Sequence, residues 1–225
     1  KGAGAEAMER GVVIAYDSRR YSPEFAREAA STLASNGIKA YLYMEPRTTP
    51  QLSFTVRHLH AFMGIVITAS HNPPEYNGYK VYGEDGAQLN IEDAEVVIEH
   101  VNDAGDALHI DQRNPDKQLI IQLDEKLDEA YLEALKTVQE NEELASSSDL
   151  KVVFTPLHGA SGKTVQRILN EAGYKHISYV EEQMEPDGDF PTVESPNPEE
   201  QSAFEYAIQY GERNHADILI AVDPD

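Results

Sequence analysis

Cysteine is absent from this 225-residue sequence, which excludes disulfides and thiolate metal sites. Cations are scarce: 18 Lys and Arg stand against 40 Asp and Glu, a net charge of −22. So acidic a surface disfavours nucleic acid and anionic membranes, and neither is expected as a partner. Any site for an anionic substrate then has to be a local basic island. No apolar run approaches the roughly 20 residues of a membrane span. Lys1 to Arg10 carries no signal-peptide core, and a cytoplasmic protein is the expectation.

Hydrophobic residues make up 40% of the chain, an ordinary value for a globular protein, and the length suffices for one large domain or two small ones. Val12 to Tyr16 reads as a buried strand. Ser22 as N-cap and Pro23 at the first helical position predict a helix to about Asn36, stopped by Gly37. Ile38 to Tyr43 is a second strand, Pro50 to His60 a helix, and Gly64 to Thr68 a third strand. Alternation of this kind implies a parallel sheet with crossover helices. Gly78 to Tyr82 and Ala87 to Leu89 then read as a hairpin around Gly83 to Gly86. Ile91 to Val101 reads as a helix, and Asp124 to Leu144 as one long charged helix. Ser146 to Asp149 is the candidate linker. A second alternating series follows: strand Val152 to Thr155, helix Gly162 to Ala172, strand Ile177 to Val180, a proline-rich loop Glu181 to Pro198, helix Glu199 to Asn214, and strand Asp217 to Val222. The chain ends at Asp223-Pro-Asp225, where a strand that has delivered two carboxylates is expected to lead into a loop and a helix.

Ser70 lies two residues beyond an apolar strand, where open α/β sheets bind ligands. Pro73 and Pro74 fix the backbone after it. His71 is adjacent, and the expected hairpin would swing Lys80 back toward the serine. A serine hydroxyl is a weak nucleophile that needs a base, a metal or an attached phosphoryl group. The surroundings are not the Gly-x-Ser-x-Gly elbow of hydrolases, because Thr68 and Asn72 stand where glycines would be. On chemistry alone the loop is either a reactive site or an Asx/ST turn.

Thr68-Ala-Ser-His-Asn-Pro73 followed by Asn77-Gly-Tyr-Lys80 resembles the phosphoserine loop of the α-D-phosphohexomutases, more narrowly the bacterial phosphoglucomutase/phosphomannomutase group related to phosphopentomutase. The resemblance extends through Tyr16-Asp-Ser-Arg19, Thr155-Pro-Leu-His-Gly159, Ser195-Pro-Asn-Pro-Glu199 and Asp223-Pro-Asp225, in the family's order and over nearly the whole chain. It implies an α/β fold of mixed, mainly parallel sheets with crossover helices, in two successive domains, both incomplete. Residues 1–145 would be most of the first domain, with the serine loop, and residues 150–225 the start of the second. The family's Gly-Thr-x-Gly-x-Arg-Gly segment is not found, and of its Asp-x-Asp-x-Asp-Arg metal loop only the first two aspartates are present. A fragment is therefore expected, inactive alone and partnered by the missing C-terminal domains of the same chain.

By resemblance, Ser70 carries a phosphoryl group, which adds about −1.5 to −2 of charge to an already acidic protein. Mg²⁺ would be held by a phosphoserine oxygen, Asp223, Asp225 and a further aspartate of the family loop. Lys80 corresponds to the general acid/base candidate, and an exposed lysine, titrating near ~10.4, needs burial or neighbouring cations for that work. Arg19 corresponds to an arginine directed at the phosphoserine. His71 either orients the serine or contacts substrate, or is structural. His158 has no derivable role, and the Asn197 loop reads as structural. The implied reaction interconverts glucose 1-phosphate and glucose 6-phosphate through glucose 1,6-bisphosphate, with mannose and pentose phosphates still open as the sugar phosphate substrate. Strand Asp217 to Val222 ending in Asp-x-Asp also resembles an aspartyl-phosphate phosphatase motif, with Asp223 as nucleophile. A non-catalytic sugar-phosphate-binding protein is the remaining alternative.

Overall fold

The computed structural model describes residues 4–105 and 114–225. β1 (Val12–Tyr16) is buried at all five positions, as a strand covered on both faces must be. Parallel neighbours flank it, β2 (Ala40–Tyr43) on one side and β3 (Met63–Ile67) on the other. β4 (Tyr79–Tyr82) runs antiparallel to β3, and β5 (Ile120–Leu123) runs parallel to β2, completing the order β4-β3-β1-β2-β5. α1 (Gly4–Arg10) precedes β1. Helix α2 (Ser22–Ser35) puts Ala26 and Ala30 against Ile14, Leu42 and Ile67 on one face. Helix α3 (Thr49–His58) puts Leu52 and Val56 against Val13, Ala15 and Val66 on the other. Full burial of such a side chain contributes about 1.5–3 kcal/mol.

The second sheet has three parallel strands in the order β7-β6-β8: β6 (Lys151–Thr155), β7 (His176–Tyr179) and β8 (Ile218–Ala221). The crossovers contain α7 (Gly162–Glu171) and α9 (Glu205–Asn214), with a short α8 (Glu181–Met184) after β7. Ala207 of α9 packs on Val153. Between the sheets come α4 (Ile91–Asp103), α5 (Glu125–Lys136) and α6 (Glu142–Ser147). Among the described residues no helix is long and apolar enough to cross a membrane.

Several local expectations need correction. Ser22 is not the N-cap of α2: Tyr21 takes that place, in the left-handed region at φ 64, and the Ser22 hydroxyl donates instead to Asp17 Oδ1 at 2.7 Å. The long charged helix is two helices, broken at 137–141, and Ser146 and Ser147 lie inside α6 rather than in a linker. The expected hairpin is present in short form, the Tyr82 bridge to Gln88 being flanked by hydrogen bonds from Gly83 N–H to the Ala87 carbonyl and from Leu89 N–H to the Val81 carbonyl, while the other edge of β4 makes the longer ladder with β3. β5 was not anticipated. The first half of the helix expected from Glu199 is a 3-10 turn, Gln201–Phe204.

In each sheet the chain leaves the first strand to one side and returns on the other. β2 and β3 flank β1, and β7 and β8 flank β6. The crevice at such a reversal, beyond the carboxyl ends of the strands, is where open α/β sheets bind ligands. The first reversal presents the turns after β1 and β3, with Asp17, Arg19 and Ser70. The second presents the turns after β6 and β8, with His158, Gly159 and Asp223.

Candidate active site

The two crevices face one another. Ser70 Oγ donates to Asp223 Oδ2 at 2.9 Å, across 153 residues of sequence. His71 Nδ1 lies 3.0 Å from the same carboxylate oxygen and 3.5 Å from Ser70 Oγ. Lys80 Nζ donates to Asp225 Oδ2 at 3.1 Å. Its place follows from β4, where Lys80 stands opposite Val66 of β3, rather than from a hairpin folding back. Burial pushes the Asp225 carboxyl up, but the charge and hydrogen bond of Lys80 outweigh this and hold it below its ordinary value. The Thr49 hydroxyl also donates to Asp225 Oδ2 at 3.2 Å, and its main-chain N–H to the Asp225 main-chain carbonyl at 3.1 Å.

Ser70 itself sits at φ 55, a left-handed conformation that costs a residue with a Cβ of order 1–3 kcal/mol. Its N–H donates to Thr68 Oγ1 at 2.8 Å. The return of the loop is fixed by Gly78: a Cβ there would lie 2.5 Å from the Thr68 carbonyl oxygen. Arg19 holds what lies between. Its guanidinium donates to the carbonyls of Ser70 at 2.6 Å, Pro73 at 2.8 Å and Tyr76 at 3.1 Å, and also to that of Asn72. The Nε faces Asp17 Oδ2 at 3.3 Å, both side chains being fully buried. Burial moves both members of this pair toward neutrality, Asp17 upward and Arg19 downward, with their mutual charge opposing the shift. The Arg19 guanidinium thus reaches the main-chain carbonyls of the serine loop, not the Ser70 hydroxyl.

The carboxylate turn is held differently. A Cβ on Gly159 would lie 2.3 Å from Pro224 Cα, and the Ala160 N–H donates to the Pro224 carbonyl at 2.8 Å. His158, without a role in the sequence, proves to be a buried strut. Its N–H donates to the Gln183 carbonyl, its own carbonyl accepts from Asp187, and Nε2 lies 2.9 Å from Thr192 Oγ1. Gln183 joins Thr192 to Thr155. Gln183, Gly188 and Phe190 all fall within the expected proline-rich loop, whose local composition carries no signal of these contacts. Asn197 makes only local turn bonds, its Oδ1 accepting from Glu199.

Among the described residues no three His, Cys, Asp or Glu side chains are gathered as a metal cluster. Asp223 Oδ1 is nevertheless buried without a hydrogen-bond partner, a state unfavourable for a carboxylate oxygen unless a cation supplies the missing partner. A cleft of about 410 Å³ lined by Thr48, Thr49, Ser161, Asp223 and Asp225 opens beside it.

Fold and site together define an α/β protein in which two sheets bring a loop serine against paired carboxylates. Two family models match the chain: phosphoglucomutase/phosphomannomutase α/β/α domain I over residues 3–107 and domain II over residues 129–225. The chain belongs to the phosphoglucomutase/phosphomannomutase family. It is 46% identical over 217 residues to a phosphoglucomutase of Staphylococcus epidermidis and 42% identical over 216 residues to one of Staphylococcus aureus. Each match takes in 95% of this chain and 39% of the relative, so the chain spans about two fifths of the length of these relatives. A phosphoglucomutase/phosphomannomutase family protein from Burkholderia thailandensis shares the fold, with TM-score 0.76 and 23% identity over 97% of this chain and 46% of that one.

Proposed function

We propose that this chain carries the phosphoryl-bearing serine and part of the metal loop of a phosphoglucomutase, an intramolecular phosphotransferase of longer chain length. The observation that carries the reading is the contact of Ser70 Oγ with Asp223 Oδ2. A hydroxyl held on a carboxylate at a crevice between sheets is placed to exchange a phosphoryl group. In the forward step a sugar-phosphate hydroxyl oxygen forms the new O–P bond and gives its proton to a neighbouring base, while the phosphoserine O–P bond breaks and Ser70 Oγ takes up a proton. In the return step Ser70 Oγ loses that proton as it accepts the other phosphoryl group of the bisphosphorylated sugar, and the leaving sugar oxygen regains one. Lys80 is the candidate for that proton traffic. His71, sharing Asp223 with the serine, orients the hydroxyl. Arg19 is a positioning residue, since its donors are spent on the loop's main chain.

Phosphate on Ser70 would lie against Asp223 and close to Asp225, three anionic groups together. Hard oxygen donors of this kind and the orphaned Asp223 Oδ1 fit Mg²⁺, with Asp223, Asp225 and a phosphoserine oxygen as its ligands from this chain. When bound, the ion supplies charge neutralisation for phosphoryl transfer. Positioning and electrostatics carry most of such a reaction. The names of the relatives favour glucose 1-phosphate and glucose 6-phosphate as the substrate pair.

The test is to treat the full-length parent protein with glucose 1,6-bisphosphate and Mg²⁺ and to map phosphate by peptide mass spectrometry. Phosphate is expected on Ser70, and Ser70→Ala is expected to abolish both label and mutase activity. Full activity with Ser70 unmodified would overturn the reading, and a hydroxylamine-labile label on Asp223 would point to the aspartyl-phosphate alternative.

A further inference from the structure

The turn at residues 187–190 belongs to the second sheet's half of the chain, yet it packs on the turn after β1. A Cβ on Gly188 would lie 2.7 Å from the Ser18 carbonyl oxygen and 2.7 Å from the Arg20 nitrogen, so the glycine is pressed against that backbone. Asp189 pairs with Arg20 at the surface. Between these contacts the Phe190 ring, 1% exposed, lies over the Arg19 guanidinium with its centroid 5.1 Å from the guanidinium carbon. Phe190 adopts a left-handed backbone at φ 47 to do so. His158 anchors the turn from behind, its carbonyl accepting from Asp187.

A guanidinium donates in its own plane and is poorly hydrated on its two faces. Here the four terminal N–H bonds go to the serine loop, Nε faces Asp17, and the guanidinium carbon lies over an aromatic ring. An aromatic face attracts a cation most strongly where water is excluded. The ring therefore holds the guanidinium in place, and that place decides whether the carbonyls of Ser70, Asn72, Pro73 and Tyr76 are all reached at once. None of the residues in the 187–190 turn makes a hydrogen bond to Ser70.

We infer that Phe190 is a positioning residue for Ser70: the second half of the chain, by laying this ring on Arg19, sets the conformation of the serine loop in the first half. The inference rests on the mutase reading for what Ser70 does, but its geometry does not depend on phosphoryl transfer.

Hydrogen exchange of the 225-residue chain tests it. Phe190→Leu keeps an apolar side chain and removes the aromatic face. The amides of residues 69–72 and 75–78 are expected to exchange about tenfold faster or more, while those of β6 and β1 keep their wild-type rates. Gly188→Ala, which pushes the same turn away without altering the ring, is expected to give the same selective pattern, and it provides the answer if Phe190→Leu fails to fold. A Phe190 that only fills space would raise exchange in β6 and the serine loop together. Uniform acceleration, or no acceleration at 69–78 in either variant, would overturn the inference. Because the readout is loop protection, a chain whose Ser70 takes no phosphate would still answer, and the mutase reading would fail separately.

Discussion

The turn that carries Ser70 and the turn that carries Asp223 occupy equivalent places in their sheets and are secured by different physics. The serine turn follows a strand hidden on one side by a helix and on the other by a second helix, and it is fixed by directional bonds from one buried cation. The carboxylate turn follows β8, whose Ile218 and Ile220 are 44% and 36% exposed, and it rests on the main chain of Gly159 and Ala160. Directional bonds set torsion angles, and Ser70 needs them because its φ of 55 is unfavourable for a serine. Close backbone contact at Gly159, with single hydrogen bonds from Ala160 and Thr49, sets a separation, which suffices to bring Asp223 to the serine. Under the proposed mutase reading, orientation is what the serine requires and proximity what the carboxylates require.

Breaking the directional side should have the larger effect. Arg19→Ala leaves Asp17 buried without its counter-charge and four loop carbonyls without donors, a loss of about 3–5 kcal/mol if it follows other broken buried pairs. Urea unfolding at neutral pH measures it, and Arg19→Lys should recover little, because one ammonium cannot span a fork of four acceptors. Gly159→Ala inserts a methyl 2.3 Å from Pro224 Cα, and the backbone shift it forces should cost about 1–3 kcal/mol in the same assay. A larger loss from Gly159→Ala than from Arg19→Ala would reverse the comparison and make contact, not directional bonding, the principal support of the site.

The sequence exposes this division unevenly. Ser70, Lys80, Asp223 and Asp225 are polar residues at the ends of apolar strands, and such placement is readable because the period of the strand and the punctuation after it are local. The alternation that yields two mainly parallel sheets is equally local. Arg19 reads as a cation near the serine, but its four carbonyl partners lie 51 to 57 residues away, and main-chain acceptors leave no mark on composition. The turn at Gly83 to Gly86 is local and readable, but Lys80 is placed by the pairing of β4 with β3 on the opposite edge, which the turn residues do not reveal. β5 passed unnoticed because Ile120 to Leu123 is a short edge strand with a half-exposed pattern. The strut at His158 and the turn at Gly188 and Phe190 are packing devices, and one histidine or one phenylalanine in a loop carries no periodic signal.

The polar network behind the carboxylate turn sharpens the comparison by its pH dependence. Burial pushes His158 below the ordinary histidine value, with the Glu185 carbonyl opposing. In the folded chain it is therefore the neutral ring that bridges toward Thr192, while in the unfolded chain the ring titrates near ~6.5. Below that pH the unfolded state binds the extra proton. The contribution of His158 is thus complete above the unfolded value and is lost as pH falls toward the depressed folded value. The loss is at most about 1.4 kcal/mol for each pH unit of that window. His158→Asn, which tolerates the left-handed backbone at φ 60, should remove this component. Urea midpoints of the two proteins from pH 7.5 to pH 5 should therefore converge on acidification, the wild type losing more. Parallel curves would mean that the ring takes up its proton without disturbing Thr192 and Gln183. The network would then tolerate charge, and the carboxylate turn would rest on the Gly159 contact and its own hydrogen bonds without help from the His158 ring.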